Sequence, residues 1–440
     1  MTNAAPTLSG VPMSLRRVFF IVASCMLALT VAGCGKGGGG SSSAQVRFMN
    51  ALVDAGPINV SVGSNSIVSG LAFEGQTPYL GTDSGGQEFK VGISGGTSTI
   101  IDTTINVSGD TKYTYLVYGT ASAPTAQLFS DAITDPASGL FQIRVINAAF
   151  GSAGLDVYVT APGASLDTAS PNISSVTYNG SSAFIQLAPG SLQLRLTLHN
   201  SKQVIYDAGT VTFADRISYD LVVYTKGSST LVNATLFTID TAGSGNLINS
   251  KIAQFKLVHA APGTAAINAL VDGAVALANI PYQGASSYET LSAGTHTVTV
   301  ETVTAPGAVI ASAQPPFPPS TDTSIVLTGT PGANTAVVLS DNNLPGTTGS
   351  ARVRFVNVAP NLGAVDVLVN FAKRVSALGS NAASSYIELT EDTYAINFDL
   401  AGSTTVVLTL PSVAVTAAHT YTLYLVGTSG QLAGVLTRDD

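Results

Sequence analysis

The stretch VRFVNVAPNLGAVDVLV, residues 353–369, decides how this chain is read, because it has three counterparts. They are VRFMNALVDAGPINVSV from Val46, IRVINAAFGSAGLDVYV from Ile143 and FKLVHAAPGTAAINALV from Phe255. Each spans seventeen residues without a gap, and the starts lie 97, 112 and 98 residues apart. Such a period is a domain's length, whereas solenoid repeats run to roughly 20–50 residues.

The rest of each unit recurs as well. A Tyr or Phe segment follows: TPYLGT around Tyr79, SAFIQL around Phe184, SSYETL around Tyr288 and SSYIEL around Tyr386. Next come YTYLVYG from Tyr113, YDLVVYT from Tyr219, TSIVLTG from Thr323 and YTLYLVG from Tyr421. Each unit closes on an apolar stretch ending in Asp, at Asp131, Asp240, Asp341 and Asp439. Short segments rich in Pro, Gly and Ser separate the units, as in DPASG from Asp135, TAGSGN from Thr241 and LPGTTGS from Leu344. The expected domains are 46–135, 141–243, 253–343 and 351–440.

Runs of five to eight residues rich in Val, Ile, Thr and Tyr alternate with Gly, Asn, Asp and Pro turns, which reads as strand throughout. Six or seven strands in about 95 residues favour an all-β chain of four tandem antiparallel β-sandwich domains, immunoglobulin-like in architecture. A transthyretin-like sandwich or a small barrel is the alternative.

The opening motif has a physical reading. Val353 and Phe355 flank Arg354, and Val365 and Val367 flank Asp366. Side chains alternate between faces along a strand, so each polar residue lies opposite its apolar neighbours. Pairing the two segments as a hairpin sets Arg354 against Asp366, Arg144 against Asp156, Arg47 against Asn59 and Lys256 against Asn268. A basic residue then faces an acceptor twelve positions on in all four copies, an exposed pair worth roughly 0.2–1 kcal/mol that fixes register. Strands in opposite sheets satisfy the same parity. Asn50, Asn147, His259 and Asn357 share the position where the first strand ends. Asn side chains bond nearby backbone at turns, and a His ring nitrogen does the same. That reading leaves His259 no metal role.

A basic strand residue, Asn or His, Ala, often Pro, and then Asp or Asn before a short apolar strand resembles an exported bacterial repeat family, domain of unknown function 4397. HAAP from His259 and NVAP from Asn357 carry the resemblance best, while the first two copies lack that Pro. The resemblance implies an extracytoplasmic, sandwich-like module that occurs in tandem, and no activity.

Arg16 and Arg17 precede an apolar run, Val18 to Val31, of signal-peptide length and too short for a comfortable membrane span. It ends in Val31-Ala32-Gly33-Cys34, which resembles the lipobox of bacterial lipoproteins. The resemblance implies cleavage before Cys34 and lipidation of its thiol and new amino terminus, palmitate among the acyl groups. Residues 1–33 then form the signal peptide and 34–45 the lipidated cysteine and tether. MSLRR at Met13 is a more typical opening than the twelve residues before it. Two or three acyl chains anchor stably, at about 0.8 kcal/mol per buried CH₂. Ten Gly- and Ser-rich residues reach roughly 16–19 Å, enough to lift a domain off the headgroups. Gly35 after the cysteine, where Asp would resemble an inner-membrane retention signal, points to the outer membrane in a Gram-negative cell. Otherwise the outer face of the cell membrane is expected.

Without residues 1–33 the chain has 407 residues and 16 Lys and Arg against 26 Asp and Glu, a charge of −10. An acidic exported chain is a poor nucleic-acid binder. Cys25 leaves with the signal and Cys34 carries lipid, so no thiol is left for a disulfide or a nucleophile.

Isolated catalytic patterns lack their context. Gly92-Ile93-Ser94-Gly95-Gly96 matches G-x-S-x-G, but no helix follows and the first copy has no His. Asp83-Ser84-Gly85-Gly86 lacks the same partner, and Gly35, Gly37 and Gly40 lie in the tether. There is no H-E-x-x-H, no Cys cluster and no calcium loop, with Asp341-Asn342-Asn343 a turn before it is an ion site. Glu391 and Asp392 fall at a hairpin tip. Gln314-Pro-Pro-Phe-Pro-Pro319 must be an edge strand or a surface crossing, with a proline-rich ligand as the sharper alternative.

No catalytic residue, metal or cofactor beyond the lipid on Cys34 is expected. The expected function is a non-catalytic, membrane-anchored cell-envelope lipoprotein, a tandem-domain arm that binds a glycan or an envelope protein. The alternative is an envelope hydrolase or glycan-processing enzyme. A binding arm should repeat exposed Tyr or Phe patches at equivalent positions, whereas a hydrolase should show one copy with clustered His, Asp, Glu or Ser.

Overall fold

The computed structural model describes residues 43–228, 230–239, 245–347 and 349–440. Cys34, its apolar run, its tether up to residue 42 and Asp240 lie outside the described residues. Among the described residues there is no α-helix, and hence none long and apolar enough to cross a membrane.

The first repeat contains β1 (Ala44–Leu52), β2 (Ile58–Val62), β3 (Asn65–Leu71), β4 (Leu80–Thr82), β5 (Gly85–Ile93), β6 (Thr99–Val107), β7 (Lys112–Thr120) and β8 (Ala123–Ser130). One sheet has the order β4-β1-β7-β8 and the other β3-β2-β5-β6. Neighbours are antiparallel except β1 and β7, which run parallel. The other repeats follow the same plan, with parallel pairs Phe141–Ala148/Ser218–Thr225, Ile252–His259/Asp322–Thr328 and Ser350–Asn357/Thr420–Thr428. Each sandwich has its own apolar core.

Connectivity separates the two sandwich alternatives. In antibody domains the first strand shares a sheet with the second. Here the first strand joins the fourth, seventh and eighth, and the second joins the third, fifth and sixth, which is the transthyretin-like order.

The hairpin between the motif's two segments is not formed, because β1 and β2 lie in opposite sheets and parity alone does not say which strands pair. Arg47, Arg144, Lys256 and Arg354 therefore do not face Asn59, Asp156, Asn268 and Asp366 across a ladder. The acceptors hold a bulge on the third strand instead. Asn59 accepts the Gly70 N–H at 2.8 Å, Asp156 the Ser175 N–H at 2.9 Å, Asn268 the Asn279 N–H at 2.9 Å and Asp366 the Ala377 N–H at 2.8 Å. All four donors have positive φ, from 50° to 66°, which is why an otherwise isolated N–H needs a side-chain acceptor there.

The strand-end position does bond backbone. Asn50, Asn147 and Asn357 donate to the carbonyls of Leu71, Val176 and Leu378, at 2.9, 2.8 and 3.2 Å. His259 Nε2 lies 3.0 Å from the Ala265 carbonyl, and its Nδ1 accepts the Ala261 N–H. Burial holds its pKa below the usual range.

Part of the longer second spacing is residues 161–172, the connection between Leu155–Thr160 and Ile173–Val176. This segment covers the outer face of that repeat's second sheet. Arg195 donates to the Ala164 carbonyl (2.6 Å) and Lys202 to the Ala169 carbonyl (2.5 Å), and Tyr158 and Leu166 are buried. In the proline segment, Pro316–Phe317 forms a two-strand edge ladder with Gly294–Thr295. Phe317 is buried in the third core with its ring centroid 5.8 Å from that of Phe255, so it is not displayed as a ligand.

Candidate functional site

The basic residues of the motif mark where the repeats meet. In β1, Val46, Phe48 and Leu52 enter the repeat's own core. The opposite face carries Arg47, Met49 and Ala51, and it is buried too. Met49, Ala51, Leu116, Tyr118 and Phe129 pack against Ile146, Ala148, Val222, Tyr224 and Phe237 of the second repeat. Val258, Val326 and Leu339 of the third repeat pack likewise against Val356, Tyr424 and Val426 of the fourth. The repeats thus pair face to face, first with second and third with fourth, through their first sheets.

Each seam is crossed by charge. Arg144 lies 3.2 Å from Asp131 of the first repeat and 2.7 Å from Asp220 of its own. Arg47 lies 3.5 Å from both carboxylates and donates to the Thr238 carbonyl of the second repeat at 2.9 Å. In the other pair the exchange is reciprocal. Lys256 of the third repeat bonds Asp439 of the fourth, and Arg354 of the fourth bonds Asp341 of the third. The recurring aromatics cover these cations, with Tyr79 over Arg47 (5.0 Å), Phe184 over Arg144 (4.8 Å), Tyr288 over Lys256 (5.0 Å) and Tyr386 over Arg354 (5.0 Å). Tyr79 donates to Asp131 at 2.7 Å and Tyr288 to Asp341 at 2.6 Å.

Thr114, Asp220, Ser324 and Thr422 are the register partners of the four cations in the parallel pairs. Three are hydroxyls that donate to a closing Asp. The second repeat places a carboxylate there, and burial pushes Asp220 up to about 6 against the nearby Arg144. Sequence reasoning missed Asp220. Its signal was an acid within YDLVVYT, at the place where the other copies carry Thr or Ser.

One catalytic-looking alignment also escaped the sequence. Ser292 Oγ lies 3.0 Å from His296 Nε2, and His296 Nδ1 lies 2.6 Å from Asp272. The fourth repeat explains it. There Tyr394 donates to the Thr390 carbonyl at 2.8 Å, as His296 Nε2 reaches the Ser292 carbonyl at 2.9 Å. Asn370 accepts the Ala395 N–H, as Asp272 accepts the Thr297 N–H, each at 2.9 Å. Both sets clamp the same turn.

The other motifs fall into turns and joints. Ser94-Gly95-Gly96 is the turn between β5 and β6. Asn342 accepts from Arg352 at 3.2 Å and Asn343 donates to Asp322 at 2.7 Å. Among the described residues no three His, Cys, Asp or Glu side chains form a metal-holding group. Phe371 is the one aromatic largely exposed among them, at 76%, so repeated aromatic patches are not displayed.

A family model described as "Domain of unknown function (DUF4397)" matches residues 44–158, 253–368 and 360–440. No curated protein matches. Solved structures with some likeness include a family CBM26 module of Eubacterium rectale Amy13K in complex with maltoheptaose, 13% identical over 43% of this chain and 95% of that one, with a TM-score of 0.16. The Bacillus anthracis TIE protein is 9% identical over 89% and 76%, with a TM-score of 0.15. The major pilin subunit BcpA* of Bacillus cereus is 8% identical over 65% and 99%, with a TM-score of 0.13. At those scores the likenesses carry no argument about ligands.

Proposed function

For a chain that belongs to the family described as Domain of unknown function (DUF4397), we propose a non-catalytic role: a lipid-anchored envelope protein that presents paired sandwiches to a glycan or an envelope protein. One observation carries this reading. The chemically capable side chains shared by the repeats, cations, closing carboxylates and aromatics, are consumed in the buried seams between them. Surface recognition is left to the outer sheets and loops. The anchor is Cys34, cleaved and acylated, and the outer membrane is the address if the cell is Gram-negative.

Two experiments test this. Cys34→Ala should release the protein from membranes after detergent-free fractionation, and continued retention of a cleaved chain would refute the anchor. The mature chain should capture a glycan or an envelope protein from extracts while cleaving none of a glycan and ester panel. The competing hydrolase reading has the Ser292–His296–Asp272 alignment in its favour. Labelling of Ser292 by a fluorophosphonate would establish it and overturn the non-catalytic one.

A further inference from the structure

The third repeat departs from the other three at one position of the shared motif. Arg47, Arg144 and Arg354 carry guanidinium groups, which stay protonated, whereas the same place in the third repeat holds Lys256, a primary amine. Its side chain is 2% exposed and meets Asp439 of the fourth repeat, 183 residues away in the chain and itself 0% exposed. The Tyr288 ring covers Nζ at 5.0 Å. Among the described residues, the other Lys–carboxylate contacts leave the lysine at least 24% exposed.

The surroundings supply what amide formation needs. Asp439 is fixed by its backbone N–H on the Thr420 carbonyl at 2.8 Å. Its carboxylate oxygens accept from Thr437 Oγ1 at 2.7 Å and from Thr422 Oγ1. Those hydroxyls draw electrons from Cγ and hold the oxyanion of a tetrahedral intermediate. Asp341, bonded to Arg354, Ser324 and Tyr288, is a second carboxylate acting on the amine. Burial lowers the Lys256 pKa, but Tyr424, Asp439 and Asp341 together raise it, so the resting pair is an ammonium and a carboxylate. In a buried site a proton passed from ammonium to carboxylate exchanges two desolvated charges for two neutral groups, which brings the nucleophilic amine within reach.

We propose that Lys256 and Asp439 join in an isopeptide bond that fastens the third repeat to the fourth. The Lys256 ammonium passes a proton to Asp341, the Nζ lone pair attacks Asp439 Cγ, and the N–C bond forms as one Cγ–O bond breaks. The departing oxygen leaves as water with the two protons the ammonium gives up, one of them returned by Asp341, and nothing is oxidised or reduced. The amide removes one buried charge of each sign and leaves Arg354 paired with Asp341. The bond is independent of what the outer surfaces recognise.

The test is tryptic peptide mapping of the folded mature chain by mass spectrometry. A branched peptide should join Lys256 to Asp439, about 18 Da (one water) lighter than its two parts, with no cleavage after Lys256. Lys256→Arg, which installs the residue of the other three copies, should abolish the branched peptide with the circular dichroism unchanged. Asp341→Asn should lower the linked fraction, and an unchanged fraction would overturn the part given to Asp341. A native chain in which trypsin cleaves fully after Lys256, or a water loss that persists in Lys256→Arg, would overturn the proposal. Should Lys256→Arg fail to fold, the branched peptide of the native chain still decides.

Discussion

Replacing Arg47 with Met separates the seam from a surface ion pair. Arg47 has 0% side-chain exposure and stands between Asp131 and Asp220, both also at 0%. It donates to Thr114 Oγ1 at 2.7 Å and to the Thr238 carbonyl at 2.9 Å. Met fills the aliphatic volume but leaves two buried carboxylates sharing Arg144. Breaking a buried pair from one side costs about 3–5 kcal/mol, whereas an exposed pair is worth about 0–1 kcal/mol. Arg47→Met with Asp220→Leu removes one charge of each sign and leaves Arg144 with Asp131, so it should recover at least half of the loss. Native-state hydrogen exchange of the mature chain, read at the β1 amides, measures both. A loss under about 1 kcal/mol for Arg47→Met, or a double variant as costly as the sum of the singles, would show that charge does not organise the seam.

Phe317→Ala should cost about 3–5 kcal/mol in the third repeat, since it empties a core site, and a near-zero change in denaturant midpoint would favour display of the proline segment. His259→Asn should cost under about 1 kcal/mol by the same assay, because the other three copies already bond backbone with Asn at that position. Stability should also fall as pH rises from about 4 to about 7. Burial pushes Asp220 up to about 6 and Asp322 up to about 7, so the folded chain holds protons that the unfolded chain releases near the ordinary value of 3.8. His259, held low, opposes this near pH 6.5, and the lowered Asp156, Asp272 and Asp366 reverse the slope in acid. Asp322→Asn isolates the effect: urea unfolding of that variant should lose part of the slope between pH 5 and 8, and an unchanged slope would remove Asp322 from the account.

The four copies, their strand character and their sandwich class were legible because each rests on residues close in sequence. Strand partners were not. Period two says that Arg47 and Phe48 lie on opposite faces, but it does not say what covers either face. The missed signal lay beside the arginine. Met49 and Ala51 share its face and are apolar, and the counterparts Ile146 and Ala148, Val258 and Ala260, and Val356 and Val358 are apolar as well. A strand apolar on both faces is buried on both. Arg47 was thus an ion in a buried interface, and part of its acceptor set, Asp220 and the Thr238 carbonyl, comes from another repeat, at a separation no local pattern encodes.

The same reasoning divides the surface. Positions alike in all four copies are spent inside, on cores, bulges and seams, so they describe how the block is built. Positions where the copies differ lie largely outside. At the hairpin after the second strand the third repeat uses Asp272-Gly273, the residues that a turn with two positive φ angles favours. The fourth uses Asn370-Phe371, with φ of 47° and 65° and the ring 76% exposed. A left-handed, solvent-facing Phe costs roughly 1–2 kcal/mol where Gly would cost nothing. The second repeat alone covers its outer sheet with residues 161–172. The pattern shared by the four copies and the positions at which they differ therefore occupy different parts of the molecule, and searching the shared motif for a ligand site searches the part that is already filled.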